Sequence, residues 1–155
     1  MKTTATLLAS ALTLLSGCIT PVDDLDTCPA VEYAVKSLES EYGCADTRRQ
    51  LGVNLSETHT IIRSQAEFDQ QVSGPCHPQI DFTKYDLVIG KKGLANGNAG
   101  IKYSLLRECS GAQLVLRVVF NQGLTTEAPN LTYHALVPKL AAGQELKVDI
   151  EINNR

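Results

Sequence analysis

The side chains with the most chemistry in this sequence are five cysteines, Cys18, Cys28, Cys44, Cys76 and Cys109, and three histidines, His59, His77 and His134. No two cysteines form a CxxC pair, so a tetrahedral zinc site has no spacing to rest on. A catalytic thiolate needs a neighbouring base, and only Cys76 has a histidine beside it, His77. The histidines show no HxH or HxxxH spacing, so they read as structural. No GxSxG elbow is present to hold a serine nucleophile. Asp81 and Asp86 flank a loop-strand junction, whereas a glycosidase pair needs two carboxylates held at a set separation across a cleft. Lys91 and Lys92 lie in the Gly90–Gly100 stretch, GKKGLANGNAG. That stretch does not fit GxxxxGK[ST], and no helix follows it to hold a phosphate. It reads as a flexible loop or long hairpin connection that could touch a partner, with Lys91, Lys92, Asn96 and Asn98 as candidate contact residues. No catalytic set, metal or cofactor is expected from these patterns.

The cysteines divide once the N-terminus is read. Lys2 is the only charge before Asp23, and an apolar run from Ala5 ends in Leu15-Ser16-Gly17-Cys18. The run is about the length of a signal peptide and too short to span a bilayer. Its end resembles the lipobox of bacterial lipoproteins. The resemblance implies cleavage before Cys18, a diacylglycerol thioether on its sulfur, and a bilayer as the first partner. Residues 1–17 are then a signal peptide, 18–27 an acidic tether, and 28–155 a single domain. Ile19, and not Asp, follows the lipidated position, which favours the outer membrane. The remaining four cysteines face an oxidising compartment and read as two disulfides with three open connectivities. Cys28–Cys44 and Cys76–Cys109 is the favoured pairing, the first closing a short loop and the second tying a loop to a hairpin turn.

The rest of the composition narrows the function classes. The chain has 155 residues, 43% hydrophobic and 20% charged, which suits one folded domain and excludes wholesale disorder. A formal net charge of −3 argues against nucleic-acid binding by bulk electrostatics. Aromatics at 5%, without tryptophan, leave little for a base-stacking platform.

The elements that must position these residues are mostly strands. Residues 31–38 alternate, and a weaker strand is predicted for about 47–55, followed by a β-branched run at 58–62. Ser64-Gln65-Ala66-Glu67 is a capping box that starts a short helix over 65–72, with Phe68 and Val72 on one face. Tyr85–Ile89 is a short apolar strand. Alternating runs at 101–105, 114–120, 131–137 and 146–152 complete the pattern, the first two forming a hairpin. Strands following one another without helices predict a mainly β fold: a small antiparallel sandwich or partly open barrel with one short helix, bordering on α+β.

From Ile61 to Ile152 the pattern resembles a small β-rich domain known from an accessory subunit of a spirochaete surface-protease complex. Related domains occur in lipoproteins of Gram-negative bacteria. The capped helix, Ile80-Asp81-Phe82, the strand ending at Gly90 and the 101–120 hairpin carry the resemblance. Asn96-Gly97-Asn98-Ala99-Gly100 stands where the family has Thr-Gly-Gly. The resemblance implies an interaction or stabilising module with no catalytic residues. The reading is a lipid-anchored envelope protein that binds another protein, the alternative a small envelope enzyme or protease inhibitor. That alternative requires a cleft gathering Asp81, Asp86 or a histidine with a shifted pKa.

Overall fold

The two long strands with unbroken buried runs organise the molecule. In the computed structural model, which describes residues 30–107 and 113–154, the strands are β1 (Val31–Tyr33), β2 (Gly52–Val53), β3 (His59–Ile62), β4 (Val72–Ser73), β5 (Tyr85–Gly93), β6 (Asn98–Arg107), β7 (Leu114–Gln122), β8 (Asn130–Pro138) and β9 (Leu146–Asn153). The helices are α1 (Leu38–Tyr42), α2 (Thr47–Gln50) and α3 (Gln65–Gln71). Along β5 every residue from Asp86 to Gly90 is buried, and along β8 every residue from Leu131 to Val137. A strand buried on both faces has no wet side to alternate with. β7 instead buries Leu114, Leu116, Val118, Phe120 and Gln122, leaving Arg117 exposed between them.

These patterns correspond to three layers. One sheet has the order β1-β6-β7-β9 and the other β3-β5-β8. Leu105, Leu116, Val118 and Phe120 meet Val88, Leu131, Tyr133, Ala135 and Val137 between them. On the far face of the second sheet, Leu87, Ile89 and Leu136 pack under Leu38, Leu51, Phe68 and Val72 from the helices and the small β2-β4 ladder. The architecture is a small β-rich sandwich with a helical cover, and the sheets do not close into a barrel. No helix among the described residues is long and apolar enough to cross a membrane.

Half of the capping box expected at Ser64 forms: the Ser64 hydroxyl accepts from the Glu67 amide at 3.3 Å. Glu67 reaches back one residue further than the motif requires, accepting from the Arg63 amide at 2.8 Å. Phe68 and Val72 are both buried.

Four local expectations change. The strand predicted over 31–38 is only Val31–Tyr33. Ser37 and Ser40 cap each other, starting α1, and Gly43 ends it in the left-handed region at φ 71°. The strand predicted near 47–55 opens as α2 and reaches β geometry only at Gly52–Val53, against Val72–Ser73. The Gly90–Gly100 stretch is not a free loop. Its first residues continue β5 and its last begin β6 across a bulge, and only 94–97 crosses between the sheets. The sheets are not wholly antiparallel either: β7 and β9 run parallel. The chain spends β8 in the opposite sheet, so it re-enters the first sheet in the direction in which it left.

Candidate functional site

The free edge of β8 is where polar chemistry collects. At Leu136 that edge is closed by a backbone bridge with Lys36, whose amide donates at 3.2 Å and whose carbonyl accepts at 2.8 Å. Two residues earlier, the His134 amide has no strand to meet and donates instead to the Tyr103 hydroxyl at 3.2 Å, across from β6. The His134 ring turns toward the cover, where α1 and α2 begin. Its Nε2 lies 3.1 Å from the Leu38 amide nitrogen and 3.2 Å from Glu39 Oε2. One ring nitrogen is thus placed between a backbone donor and a carboxylate. Its Nδ1 lies 3.4 Å from the Thr47 hydroxyl. That hydroxyl donates to Glu39 Oε1, which also receives the Thr47 amide at 3.3 Å.

Beside this cluster lies a cleft of about 630 Å³, lined by Ser37, Glu39, Asp46, Thr47, Arg48, Gly100, Ile101, Tyr103 and His134. Asp46 stands at φ 41°, a left-handed conformation that short polar residues tolerate. Its carboxylate faces Arg48 Nε at 3.4 Å, and Arg48 Nη1 donates to Asn98 Oδ1 at 3.1 Å. Partial burial works to raise the Glu39 carboxyl. The hydrogen bonds from His134 and Thr47 outweigh it and hold the group well below its ordinary value. Burial pushes the Tyr103 phenol well up, so it remains a neutral donor.

Thr47, His134 and Glu39 are the residue types of a nucleophile, a base and an acid, but the arrangement is a lock. Thr47 is 1% exposed and His134 3%. The Thr47 proton goes to Glu39 and not to the imidazole, and the Leu38 and Thr47 amides are spent on the cluster itself. An acyl-transfer site needs free amide donors aimed at the developing oxyanion. What the cleft offers outward is the half-exposed rim of Glu39, Asp46 and Arg48 over Ile101 and Tyr103.

The other residues singled out by the sequence fall elsewhere. Cys44 is bonded to Cys76, with Cα atoms 5.7 Å apart, which overturns both the Cys28–Cys44 and Cys76–Cys109 pairings. The physical reason is the end of α1: Gly43 turns the chain and the Cys44 amide donates back to the Leu38 carbonyl at 3.3 Å. That sets Cys44 over the second apolar layer, where Cys76 packs against the same cluster. Cys18, Cys28 and Cys109 lie outside the described residues. Lys92 pairs with Glu57 at 2.5 Å, and the Lys91 amide donates to the Thr58 carbonyl at 3.1 Å. The Asn96 side-chain Nδ2 donates to Gln122 Oε1 at 3.3 Å, and Asn98 Nδ2 lies 3.1 Å from both the Gly100 and Asn121 carbonyls. These four residues are thus held in ladders and turns, and only Asn98 touches the cleft, through Arg48.

The three histidines do not meet. His59 sits on β3, and partial burial pulls its pKa down. His77 stacks edge-on against Phe68 at 5.5 Å. Asp86 is fully buried and holds Lys139 Nζ at 2.6 Å and the Leu140 amide at 3.1 Å, pinning the turn after β8. Asp81 accepts from Lys84 and Thr83, which bring it down to about 2. Neither aspartate reaches the cleft. Sequence reasoning missed Glu39, Thr47 and Tyr103 because their meeting depends on α1 and α2 docking on β8. The one local signal was Ser37-Leu38-Glu39-Ser40, a capping pattern that marks the start of α1.

No family model matches this sequence, and no curated protein or solved structure matches it.

Proposed function

We propose that this chain is a lipid-anchored cell-envelope protein that acts as a protein-interaction or stabilising module without catalysis. The observation that supports a non-catalytic reading is the commitment of Glu39, Thr47 and His134 to one another beneath the cleft rim. The anchor is supported by the sequence: the apolar leader ending at Leu15-Ser16-Gly17-Cys18. Two or three acyl chains at about 0.8 kcal/mol per buried CH₂ would hold the domain to a bilayer permanently. An outer-membrane position follows from Ile19 after the lipidated cysteine.

The test has two arms. Fatty-acid labelling in the producing bacterium should mark the wild type and not Cys18→Ser; equal labelling removes the anchor. Photo-crosslinkers placed at Arg48 and Ile101 in the native membrane should recover one recurrent protein partner that a crosslinker at Lys102 does not. Repeated recovery of nothing removes the interaction reading.

A second reading, a small envelope enzyme or protease inhibitor, is favoured by one observation: a histidine and a carboxylate do share an open cleft. It requires that the purified chain hydrolyse an envelope peptide or glycan, or block a protease, in a manner abolished by His134→Gln.

A further inference from the structure

We propose that β9 pairs with β9 of a second copy of this chain, joining two sandwiches through one continuous sheet. The inference is independent of the cleft, which lies by β6 and β8. β9 is an eight-residue edge strand, and among the described residues nothing pairs with its outer side. An edge of that length, with neither proline nor bulge, is the kind that recruits another strand.

The backbone defines which groups are on offer. The Leu114 amide donates to the Glu145 carbonyl at 2.9 Å. In a parallel ladder a residue turns both its backbone groups to the same neighbour, and the next residue turns them away. Lys147, Asp149 and Glu151 therefore face β7, while Leu146, Val148, Ile150 and Ile152 present amide and carbonyl to the open side. The side chains of Leu146, Val148 and Ile150 form the rim of the inter-sheet core and are only part-buried, and Ile152 is 41% exposed. A second copy would continue that core.

Charge then selects the register. With Val148 opposite Val148 of the second copy, Leu146 meets Ile150, and all three pairs bring outward amides against outward carbonyls. The intervening pairs are Lys147 against Asp149, twice by symmetry. These are the close, non-hydrogen-bonded pairs, where opposite charges attract best. Within the described part of one chain neither Lys147 nor Asp149 forms a salt bridge, whereas Glu151 is held by Arg117 at 2.9 Å. Slipping the register by one pair sets Asp149 against Asp149, flanked by Lys147 against Glu151, or Lys147 against Lys147, flanked by Asp149 against Glu145. The proposed register leaves only Glu145 against Glu151, and Arg117 already holds the Glu151 charge. A two-fold interface is self-complementary in this sense.

The test is sedimentation equilibrium of the full chain in density-matched detergent, so that an N-terminal lipid does not alter the mass read. The wild type should be a concentration-dependent dimer. Lys147→Glu should be monomeric, and Lys147→Glu with Asp149→Lys should dimerise again. A wild type that stays monomeric up to about 1 mM, or a dimer indifferent to the single reversal, overturns the proposal. Register is read separately by mixing Lys147→Cys with Asp149→Cys chains under mild oxidation. Peptide mapping should find the mixed 147–149 disulfide in excess over either symmetric one, and a symmetric product in excess overturns the pairing. Circular dichroism of each variant shows that it remains folded. Failure to capture a different partner at the cleft would leave these outcomes unchanged.

Discussion

Gly90 and Tyr133 face each other across β5 and β8, and the glycine is there because the tyrosine is. A Cβ on Gly90 would run into the Tyr133 ring and the Thr58 carbonyl. Gly90→Ala should therefore cost about 1–3 kcal/mol, as overpacking does, read as a lower urea midpoint at unchanged slope. The same tyrosine carries a buried hydroxyl with no hydrogen-bond partner among the described residues, and burial pushes its phenol up to about 12. Tyr133→Phe removes that unpaired group while keeping the edge-on contact with Phe120. The variant should be as stable as the wild type or more so by up to about 1 kcal/mol, and a clear loss in a thermal melt would contradict the isolation of the hydroxyl. Glu39 sets a pH dependence. Its folded pKa lies below the ordinary 4.5, so the unfolded chain takes up the proton first as pH falls. The stability it contributes is full above that value and is lost on acidification below it. Glu39→Gln should flatten part of the decline in urea midpoint between pH 5 and pH 3 while lowering the plateau at neutrality. A parallel decline in both proteins would count against the Glu39–Thr47–His134 lock.

At the scale of elements, the Cys44–Cys76 bond ties the α1–α2 turn to the segment following β4. It closes a loop across a sequence separation of 32, worth about 3–4 kcal/mol in the chain-entropy account. With those two joined, and with Cys18 taken by lipid as proposed above, Cys28 and Cys109 are the two left to bond with each other. β1 begins just after Cys28 and β6 ends just before Cys109, with Val31 paired to Arg107. Non-reducing peptide mapping is expected to yield Cys44–Cys76 and Cys28–Cys109 and no other linkage. The sequence was most legible where an element is set by its own residues. Ser64 and Glu67 started α3, and the alternation of 114–120 and 146–152 placed β7 and β9. It was least legible where a segment takes its form from what it covers. Leu51, Val53 and Leu55 alternate as a strand would, but only Leu51 is fully buried, because the segment lies over β8 and is tied down by Thr132, whose hydroxyl donates to the Leu51 carbonyl at 2.5 Å. The cleft was hidden for the same reason, since Glu39, Thr47, Tyr103 and His134 come from four elements.

For the whole molecule, the decisive feature is that the β3-β5-β8 sheet serves two cores at once. Leu87, Ile89 and Leu136 point into the cover, and Val88, Ala135 and Val137 point into the sandwich. Neither apolar layer can open without stripping one face of these strands, so the cover and the sandwich should unfold together. Reducing Cys44–Cys76 should lower the midpoint without splitting the transition. Hydrogen exchange should resolve the hierarchy. Amides of β5, and those of β8 that face β5, open only with global unfolding and exchange slowest. β9 is the informative exception, because its alternation divides it into two sets. The Lys147, Asp149 and Glu151 amides, bonded to β7, should be protected at any concentration. Those of Val148, Ile150 and Ile152 face the open edge and should exchange rapidly in dilute protein. For Val148 and Ile150, and for Leu146 on the same open side, that exchange should slow as the concentration rises if β9 recruits β9. Residue-resolved exchange at two concentrations thus separates an edge that is merely open from one that is used, and uniform protection along β9 at both would contradict the parity assigned to its backbone.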